Sequence, residues 1–281
     1  MKIKYFVFLL LTTMFGVNLT SCREENDEPK LKPVLPIIPN TEIDIFADLE
    51  KDEMVFIEGG TFMMGAQNES PTLPNFDSDA QSNEQPVHQV TLNDFYIGKY
   101  EVTNELWEYV MENSYPSYFG GENAPVECVD MLDCQEFIGK LNSMTGKSYR
   151  LPTEAEWEYV ARGGNKSQNN KYSGSNILDD VAWNFNNSLR QTHTVGTKKS
   201  NELGVYDMSG NVYEWCSDLY GSYSSLEQIN PTGPESGNYY VVRGGSWHDE
   251  TPTNYRVSYR KRCMPRFCNT YIGLRLVLDV Q

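Results

Sequence analysis

Apolar residues recur at three- and four-residue steps in a few stretches of the chain, and the clearest of these predicts a helix. Asp130 is placed to cap it and Gly146 to end it. The apolar face of this helix comprises Cys134, Phe137, Ile138, Leu141 and Met144. The pattern makes Cys134 a thiol of the protein core rather than a reactive one.

Capping residues predict two further helices. Thr103 precedes the first, whose apolar positions are Leu106, Trp107 and Val110. Thr153 and Glu156 form a capping box at the start of the second, in which each side chain bonds a free backbone amide. The buried face of that helix is predicted to comprise Trp157, Val160 and Ala161.

Strands are predicted where β-branched, aromatic and other apolar residues cluster between glycines. Residues 54–60, 61–64 and 87–100 have this composition. The polar stretch at 66–86 is rich in Pro, Ser and Asn, and it is predicted to be a long loop of a kind that is often functional. Beyond residue 165 helices are predicted to be absent, and short strands are predicted at Val195, Tyr213, 240–242, 255–259 and 272–277.

The first 21 residues have the pattern of a targeting segment. Lys2 and Lys4 give a basic start, and the apolar run at 6–15 is too short to span a membrane comfortably. The segment Leu-Thr-Ser-Cys at 19–22 resembles a bacterial lipobox, in which the thiol of Cys22 would carry the lipid anchor after cleavage. An ordinary secretory signal with an incidental cysteine is the alternative.

Residues 22–52 are predicted to be a tether. Four acids within residues 23–28 stay solvated, and the prolines that follow stiffen the chain. Acids directly after a lipid-bearing cysteine resemble a surface-export signal of some Gram-negative bacteria, which leaves surface exposure of an outer-membrane lipoprotein open. The chain thus divides into a signal peptide at 1–21, the tether at 22–52 and one domain at 53–281.

Composition narrows the class of partner. Aromatic residues make up 12% of the chain, which suggests a core of large rings whose polar tips need hydrogen-bond partners. The net charge of −16 argues against nucleic acid, which needs a basic surface. If Cys22 carries lipid, five of the six cysteines remain, and an odd number means at least one unpaired thiol or an intermolecular bridge.

The stretch at 204–215, Gly-Val-Tyr-Asp-Met-Ser-Gly-Asn-Val-Tyr-Glu-Trp, is dense in residues that form tight turns. Asp207 and Glu214 flank the turn, whose carbonyl groups are free of regular pairing. Oxygen side chains together with free carbonyls are the ligands that Ca²⁺ selects. A surface turn with two solvated acids is the alternative.

This stretch resembles the G-L-Y-D-M-x-G-N-V-x-E-W signature of the formylglycine-generating enzyme (sulfatase-modifying factor) family. Three other segments resemble that family in the expected order. They are Phe-Met-Met-Gly at 62–65 with Val-His-Gln-Val at 87–90, Tyr-Arg-Leu-Pro-Thr-Glu-Ala-Glu-Trp-Glu at 149–158, and Arg-Gly-Gly-Ser-Trp at 243–247 with Gly-Leu-Arg at 273–275. Together the motifs span about residues 54–278, the whole globular part.

The resemblance implies an α+β fold, the formylglycine-generating-enzyme-like variant of the C-type-lectin fold. Such a domain has little regular secondary structure and a mixed antiparallel sheet with a few packed helices. The resemblance places the family's second calcium site, and hence a structural Ca²⁺, on Asp207, Gly210, Val212 and Glu214. It also makes Arg150, Glu154 and Glu156 structural rather than catalytic.

Enzymes of the family oxidise a cysteine of an unfolded sulfatase to formylglycine, using O₂ and a copper ion held by two cysteines that follow the Arg-Gly-Gly-Ser motif. Cu(I) needs soft thiolate ligands, so other residue types do not replace them freely. Here the corresponding segment, residues 248–256, contains no cysteine. Asp249 lies near the first expected ligand position and Asn254 near the second. Copper is therefore not expected.

Two clusters leave alternatives open. Cys263 and Cys268 form a local disulfide, two free thiols or a displaced soft-metal site, and an extracytoplasmic location favours the disulfide. His248, Asp249 and Glu250 belong either to a non-haem iron site or to a polar surface loop. The loop is favoured, since consecutive residues rarely all face one ion.

The sequence thus favours a non-catalytic, ligand-binding lipoprotein, a pseudoenzyme of its family that is anchored to a membrane outside the cytoplasm. Its ligand would be a protein or a glycan. The candidate ligand-binding residues are His248, Asp249, Asn254, Tyr255 and Arg266. The alternatives are an oxidoreductase of the sulfatase-activating type, working through Cys263 and Cys268 or through iron, and a structural lipoprotein of an envelope machine.

Overall fold

The computed structural model describes residues 53–113 and 115–280. The predicted signal peptide, Cys22 and the whole tether lie outside the described residues. The helices within them are α1 (Asn104–Met111), α2 (Met131–Thr145), α3 (Glu154–Ala161) and α4 (Leu178–Val181).

The helix caps follow the sequence prediction. Side-chain oxygens of Thr103, Asp130 and Thr153 accept hydrogen bonds from the first turns of α1, α2 and α3. Gly146 ends α2 with a left-handed φ of 69°. The prediction that helices are absent beyond residue 165 is wrong at α4, a single turn without a side-chain cap that leaves little signal in the sequence.

The strands form three sheets. One is antiparallel, in the order β1 (Met54–Ile57), β4 (Phe95–Gly98), β11 (Val277–Asp279) and β5 (Tyr149–Arg150). The second has the order β10 (Ile272–Gly273), β6 (Tyr213–Leu219), β8 (Tyr240–Arg243) and β9 (Arg260–Cys263). The third has the order β2 (Gly60–Met64), β3 (His88–Leu92) and β7 (Gln228–Ile229). The pairs β10–β6 and β3–β7 are parallel and the others antiparallel, which confirms the expected mixed α+β architecture.

Two predicted strands do not form. Val195 lies in a turn, and residues 255–259 are irregular after a 3₁₀ turn at Pro252–Tyr255. The amide of Val257 bonds the carbonyl of Lys171, and the amide of Tyr259 closes a turn, so neither is available to a ladder. The regular strand starts only at β9.

Two large hydrophobic clusters form the core. One packs α1 and α2 against β6, and there the rings of Trp107 and Phe137 stack with centroids 4.8 Å apart. Cys134 is fully buried in this cluster, as the helical pattern predicts. The other packs α3 against β4 and β8 around Trp157.

Helix α3 is buried on every side, which exceeds the one buried face that its pattern predicts. Its three glutamates therefore need positive partners, since an unpaired buried charge is costly. The partners come from distant strands and are Arg260 for Glu154, Arg243 for Glu158 and Arg150 for Glu156. These pairs support a structural role for Arg150, Glu154 and Glu156.

Candidate functional site

The turn predicted at 204–215 is tight and buried. Asp207, Gly210 and Asn211 have φ values of 59°, 90° and 59°. At Gly210 a Cβ atom would lie 2.5 Å from the carbonyl oxygen of Trp183, so only glycine fits. The turn thereby leads Val212 directly into β6.

Asn211 ties this turn to the segment before α1. Its side-chain amide donates to Glu101 Oε2 at 2.6 Å and to the carbonyl of His193 at 3.2 Å. Glu101 Oε1 accepts from the amide of Val212 at 3.2 Å. Glu101 is only 2% exposed, and the sequence did not single it out because its partners lie far along the chain.

Three buried carboxylates meet one arginine at the turn. Glu101, Asp207 and Glu214 are buried close enough for their charges to act on one another. Arg275 Nη2 lies 2.6 Å from Glu214 Oε1, and both side chains are fully buried. The second oxygen of Glu214 accepts from the indole nitrogen of Trp157 at 2.7 Å.

The acids of this cluster hold protons more tightly than usual. Burial raises the pKa of Asp207 to about 6, and the charge of Glu214 adds to the effect. Burial, followed by the charges of Asp207 and Glu214, raises the pKa of Glu101 well above its usual range. One arginine does not neutralise three carboxylates, so the remaining charge calls for protonation or a bound cation.

The predicted calcium ligands fit this cluster in charge but not as a complete set. Asp207 Oδ2 accepts from the amide of Gly196 at 2.6 Å, while Oδ1 is buried without a hydrogen-bond partner among the described residues. A free carboxylate oxygen beside surplus negative charge suits a cation. Glu214 does not fit, because Arg275 and Trp157 occupy its two oxygens. Calcium stays a prediction centred on Asp207.

Across residues 53–113 and 115–280, no three His, Cys, Asp or Glu side chains are grouped so that they could hold a metal ion. Any calcium ion at Asp207 would therefore depend on backbone carbonyls such as those of Gly210 and Val212, together with water.

Asp249 and Asn254, the residues near the expected copper-ligand positions, are bonded to each other. Asn254 Nδ2 donates to Asp249 Oδ1 at 2.7 Å, and the Tyr213 hydroxyl donates to the same oxygen at 2.9 Å. Asp249 Oδ2 accepts from the amide and the hydroxyl of Ser246 at 2.9 and 2.7 Å. Burial and the Asp249 charge raise the pKa of Tyr213 well above its usual range, so its hydroxyl stays a donor. Neutral donors thus saturate the Asp249 carboxylate.

The remaining candidate binding residues separate into surface and interior. His248 is exposed, and its ring stacks on Tyr271 at 5.3 Å. Tyr255 is only 1% exposed, and its hydroxyl donates to two carbonyl groups of the 246–249 loop. This corrects the expectation for Tyr255, which supports the loop from beneath instead of facing a ligand. Arg266 is exposed, and its Nη1 lies 3.5 Å from Asp130 Oδ2.

Six aromatic side chains from three chain segments form a row beside Asp249, which we call the ring face. They are Tyr118, Phe119, Trp247, His248, Tyr271 and Phe267, and successive ring centroids lie 5.1, 5.3, 5.2, 5.3 and 6.4 Å apart. Tyr118, at one end, is 76% exposed. The sequence pointed to His248 and, at Arg266, to the segment that carries Phe267 and Tyr271, but it missed Tyr118 and Phe119, because no local pattern joins them to the other rings.

Two cavities of the described residues lie away from the ring face. One of about 960 Å³ is lined by Arg150, Glu156 and Asp279 among others, and one of about 570 Å³ by Asn169 and Lys171 among others. Asp249 and the ring face line neither of them. The ring face therefore lies outside these two cavities, and its exposed members are Tyr118 and His248, since Trp247 is only 7% exposed.

Cys263 and Cys268 are both free thiols in the structure. Cys263 ends β9 and is buried in the larger hydrophobic cluster, whereas Cys268 is exposed in the following loop. The expected disulfide between them is not formed, because the strand directs one thiol into the core while the loop directs the other to solvent.

Known proteins resemble this chain over most of its length. Residues 40–280 match the profile of the family described as "Sulfatase-modifying factor enzyme 1-like domain". The chain is 32% identical to Chaperone protein LppX of Paenibacillus barcinonensis, over 98% of each chain. It is 34% identical to the formylglycine-generating enzyme of Streptomyces coelicolor, over 57% of this chain and 54% of that enzyme.

Other relatives extend well beyond the matched region. Serine/threonine-protein kinase Pkn1 of Chlamydia trachomatis is 35% identical over 82% of this chain, which spans only 38% of that kinase. Among solved structures, Treponema denticola variable protein 1 superposes with a TM-score of 0.70 and 30% identity, over 81% of this chain and 95% of that one. The fold is therefore shared across proteins with different names and lengths.

Proposed function

The chain belongs to the family of sulfatase-modifying factor enzyme 1-like domains, and from that premise we propose that it is a non-catalytic, ligand-binding member. It holds a polypeptide ligand on the ring face. It does not perform the copper-dependent oxidation of the family's formylglycine-generating enzymes.

The observation that carries this proposal is the 2.7 Å hydrogen bond from Asn254 to Asp249. By resemblance these two residues lie near the positions of the family's copper-binding cysteines. Carboxylate and amide groups are hard ligands that suit Cu(I) poorly. Since Tyr213 and Ser246 also bond Asp249, the network serves to fix the loop that presents the ring face.

The ring face has the composition of a recognition surface. Aromatic side chains are enriched in protein interfaces because they bury a large area at low entropic cost. Lys261 Nζ lies 5.5 Å from the centroid of the Tyr271 ring. The exposed Arg262 and Arg266 follow Lys261 in the same segment. These cations contrast with the net charge of −16, and they favour a ligand with acidic groups.

A polypeptide is favoured over a glycan as the ligand. The ring face is a row of aromatic side chains, an arrangement that suits an extended chain with apolar side chains. Chaperone protein LppX aligns over 98% of each chain, and its name describes a protein that acts on other polypeptides. We infer that the ligand is an unfolded or partly folded protein segment.

We further propose that the domain is held at a membrane outside the cytoplasm through lipid on Cys22, in the outer membrane. This proposal rests on the lipobox-like pattern at 19–22 and the tether after it. In the part of the chain that the structure describes, no helix has the length and apolar character needed to cross a bilayer. Palmitate labelling that disappears in a Cys22→Ser variant tests the anchor.

Binding to an unfolded protein tests the proposed function. The probe is fluorescein-labelled lactalbumin that has been reduced and carboxymethylated, which makes it unfolded and acidic, and the readout is fluorescence anisotropy. A Tyr118→Ala/His248→Ala variant is expected to bind about tenfold more weakly, as loss of interface anchors predicts. The matched control is Leu226→Ala, which removes a side chain that is 73% exposed outside the ring face and should bind normally.

Equal affinity in both variants would overturn the ring face as the binding surface, and no binding by the unaltered chain would overturn a polypeptide ligand. Binding on a glycan array without binding of the polypeptide would replace the protein ligand by a glycan.

Oxygen consumption with a Cys-x-Pro-x-Arg peptide tests the oxidoreductase alternative. We expect no consumption above that of the peptide alone. Turnover that disappears in Cys263→Ser or Cys268→Ser would establish the oxidoreductase instead.

A further inference from the structure

Two chain segments run antiparallel between the ring face and the start of α2. The amide of Cys128 donates to the carbonyl of Asn269 at 3.1 Å, and the amide of Met131 donates to the carbonyl of Pro265 at 3.0 Å. The first bond places Cys128 beside Asn269, and therefore within one residue of Cys268. The two side chains are also near enough for the charge of Cys268 to raise the pKa of the Cys128 thiol, and a disulfide needs their Cα atoms within about 4.4–6.8 Å.

Cys128 and Cys268 are also the accessible thiols of the described chain. Cys128 is half-buried and Cys268 is exposed, while Cys134, Cys216 and Cys263 are buried. Buried apolar thiols are inert, so an oxidant in solution meets the accessible pair first.

The backbone of Cys128 is fixed in an uncommon conformation. Its φ of 61° is left-handed, which a residue other than glycine adopts only where its surroundings impose it. Val126 and Val129 on either side are fully buried, and the bond to Asn269 holds the amide. The backbone of Cys128 is therefore held beside the segment that carries Cys268 before any cross-link forms.

We propose that Cys128 and Cys268 form a disulfide when the chain meets an oxidant of the thiol–disulfide exchange class, such as an oxidoreductase that carries a disulfide. The thiolate of Cys268 attacks a sulfur of that disulfide, forms a mixed disulfide and releases one thiol. The sulfur of Cys128 then attacks the sulfur of Cys268 and releases the second thiol. The pair loses two electrons and two protons, and the oxidant's disulfide is reduced to two thiols.

The surroundings of the two thiols determine which of them attacks the oxidant first and which attacks second. Burial and then the neighbouring Glu127 carboxylate raise the pKa of Cys128 to about 12, so it stays a thiol and attacks second. Burial also raises the pKa of Glu127, which makes its carboxylate a better acceptor for the proton that Cys128 gives up. Cys268 is the exposed thiol that meets the oxidant.

The cross-link would fix one edge of the ring face. Residues 264–271 carry Phe267 and Tyr271, and Glu127 Oε1 accepts from the amide of Phe119 at 2.7 Å. A bond between Cys128 and Cys268 thus ties two of the three segments that supply the rings. The disulfide itself stands whether or not the ring face binds a polypeptide.

Thiol mapping of the full chain tests this inference. The chain is equilibrated with oxidised glutathione, alkylated under denaturing conditions, digested and analysed by mass spectrometry. We expect a linked pair of peptides that contain Cys128 and Cys268, and we expect it unchanged in the control variant Cys263→Ser. In Cys128→Ser, Cys268 is expected to carry glutathione, because the second step is then blocked.

Complete alkylation of Cys128 and Cys268 after this treatment would overturn the inference. So would a peptide pair that links Cys263 to Cys268, or glutathione found on Cys128 and not on Cys268 in the unaltered chain.

Discussion

Arg275 donates hydrogen bonds from Nε and Nη2 to Glu214, and both side chains are fully buried. The same guanidinium donates to the carbonyls of Gly98 and Tyr206 at 2.9 Å. Two motifs that are far apart in the sequence therefore meet at one ion pair. The glutamate of the 204–215 signature is held in the core by this pair, and the two oxygens that the calcium prediction assigns as ligands accept hydrogen bonds from Arg275 and Trp157.

Replacing Arg275 by leucine is expected to lower the free energy of unfolding by about 3–5 kcal/mol, because Glu214 is left as an unpaired buried charge. Adding Glu214→Gln should recover part of the loss, since that charge is then removed. The control Lys140→Ala breaks an exposed pair with Glu136 and should cost less than about 0.5 kcal/mol. Urea denaturation measures the free energy of unfolding of all three variants. If Lys140→Ala lowered it as much as Arg275→Leu does, the buried pair would contribute no more to stability than an exposed pair.

The acid cluster predicts a pH dependence of stability. Burial raises the pKa of Asp207 to about 6 in the folded state, above its ordinary value of about 4. Between about pH 4 and pH 6 the folded state therefore binds more protons than the unfolded state does. The contribution of Asp207 to stability is complete below about pH 4 and falls as pH rises through about 6. With a chelator present, the chain is expected to lose of the order of 1–3 kcal/mol relative to Asp207→Asn over this window.

Urea denaturation at several pH values compares the chain with this variant. A stability difference that stays constant from acid to neutral pH would show that Asp207 does not titrate in the folded state as inferred.

Calcium provides a separate test of the same cluster. At about pH 7.5 Asp207 is ionised, and its free Oδ1 is expected to attract Ca²⁺, so that millimolar calcium raises the melting temperature by a few degrees. A chelator should reverse the rise, and Asp207→Asn should abolish it. Differential scanning calorimetry measures these shifts. If calcium left the melting temperature unchanged, protonation alone would compensate the surplus negative charge of the three carboxylates.

Local features of this fold follow from the sequence. The caps at Thr103, Asp130 and Thr153 and the turn at Gly210 depend on residues within a few positions of one another. Their physical cause, a side-chain oxygen near free amides or a backbone with positive φ, is visible in the sequence itself.

Long-range pairing is what the sequence does not show. Glu84 with Arg256 and Glu158 with Arg243 are buried ion pairs between segments that no local pattern connects. The same limit applies to the hydrogen bond between Cys128 and Asn269, whereas Cys263 and Cys268, which are close in the sequence, are both free thiols. The predicted strand at 255–259 failed for a related reason, since tertiary bonds occupy its amides.

Retention of Cu(I) tests the central claim most directly. The experiment uses a Cys128→Ser/Cys268→Ser background, so that the accessible thiols do not contribute, and anaerobic competition with a chromogenic Cu(I) chelator. We predict that this protein retains no copper, and that adding Asp249→Cys and Asn254→Cys creates a site that retains one ion. Copper retained by the background protein and lost on Asp249→Ala would contradict the account.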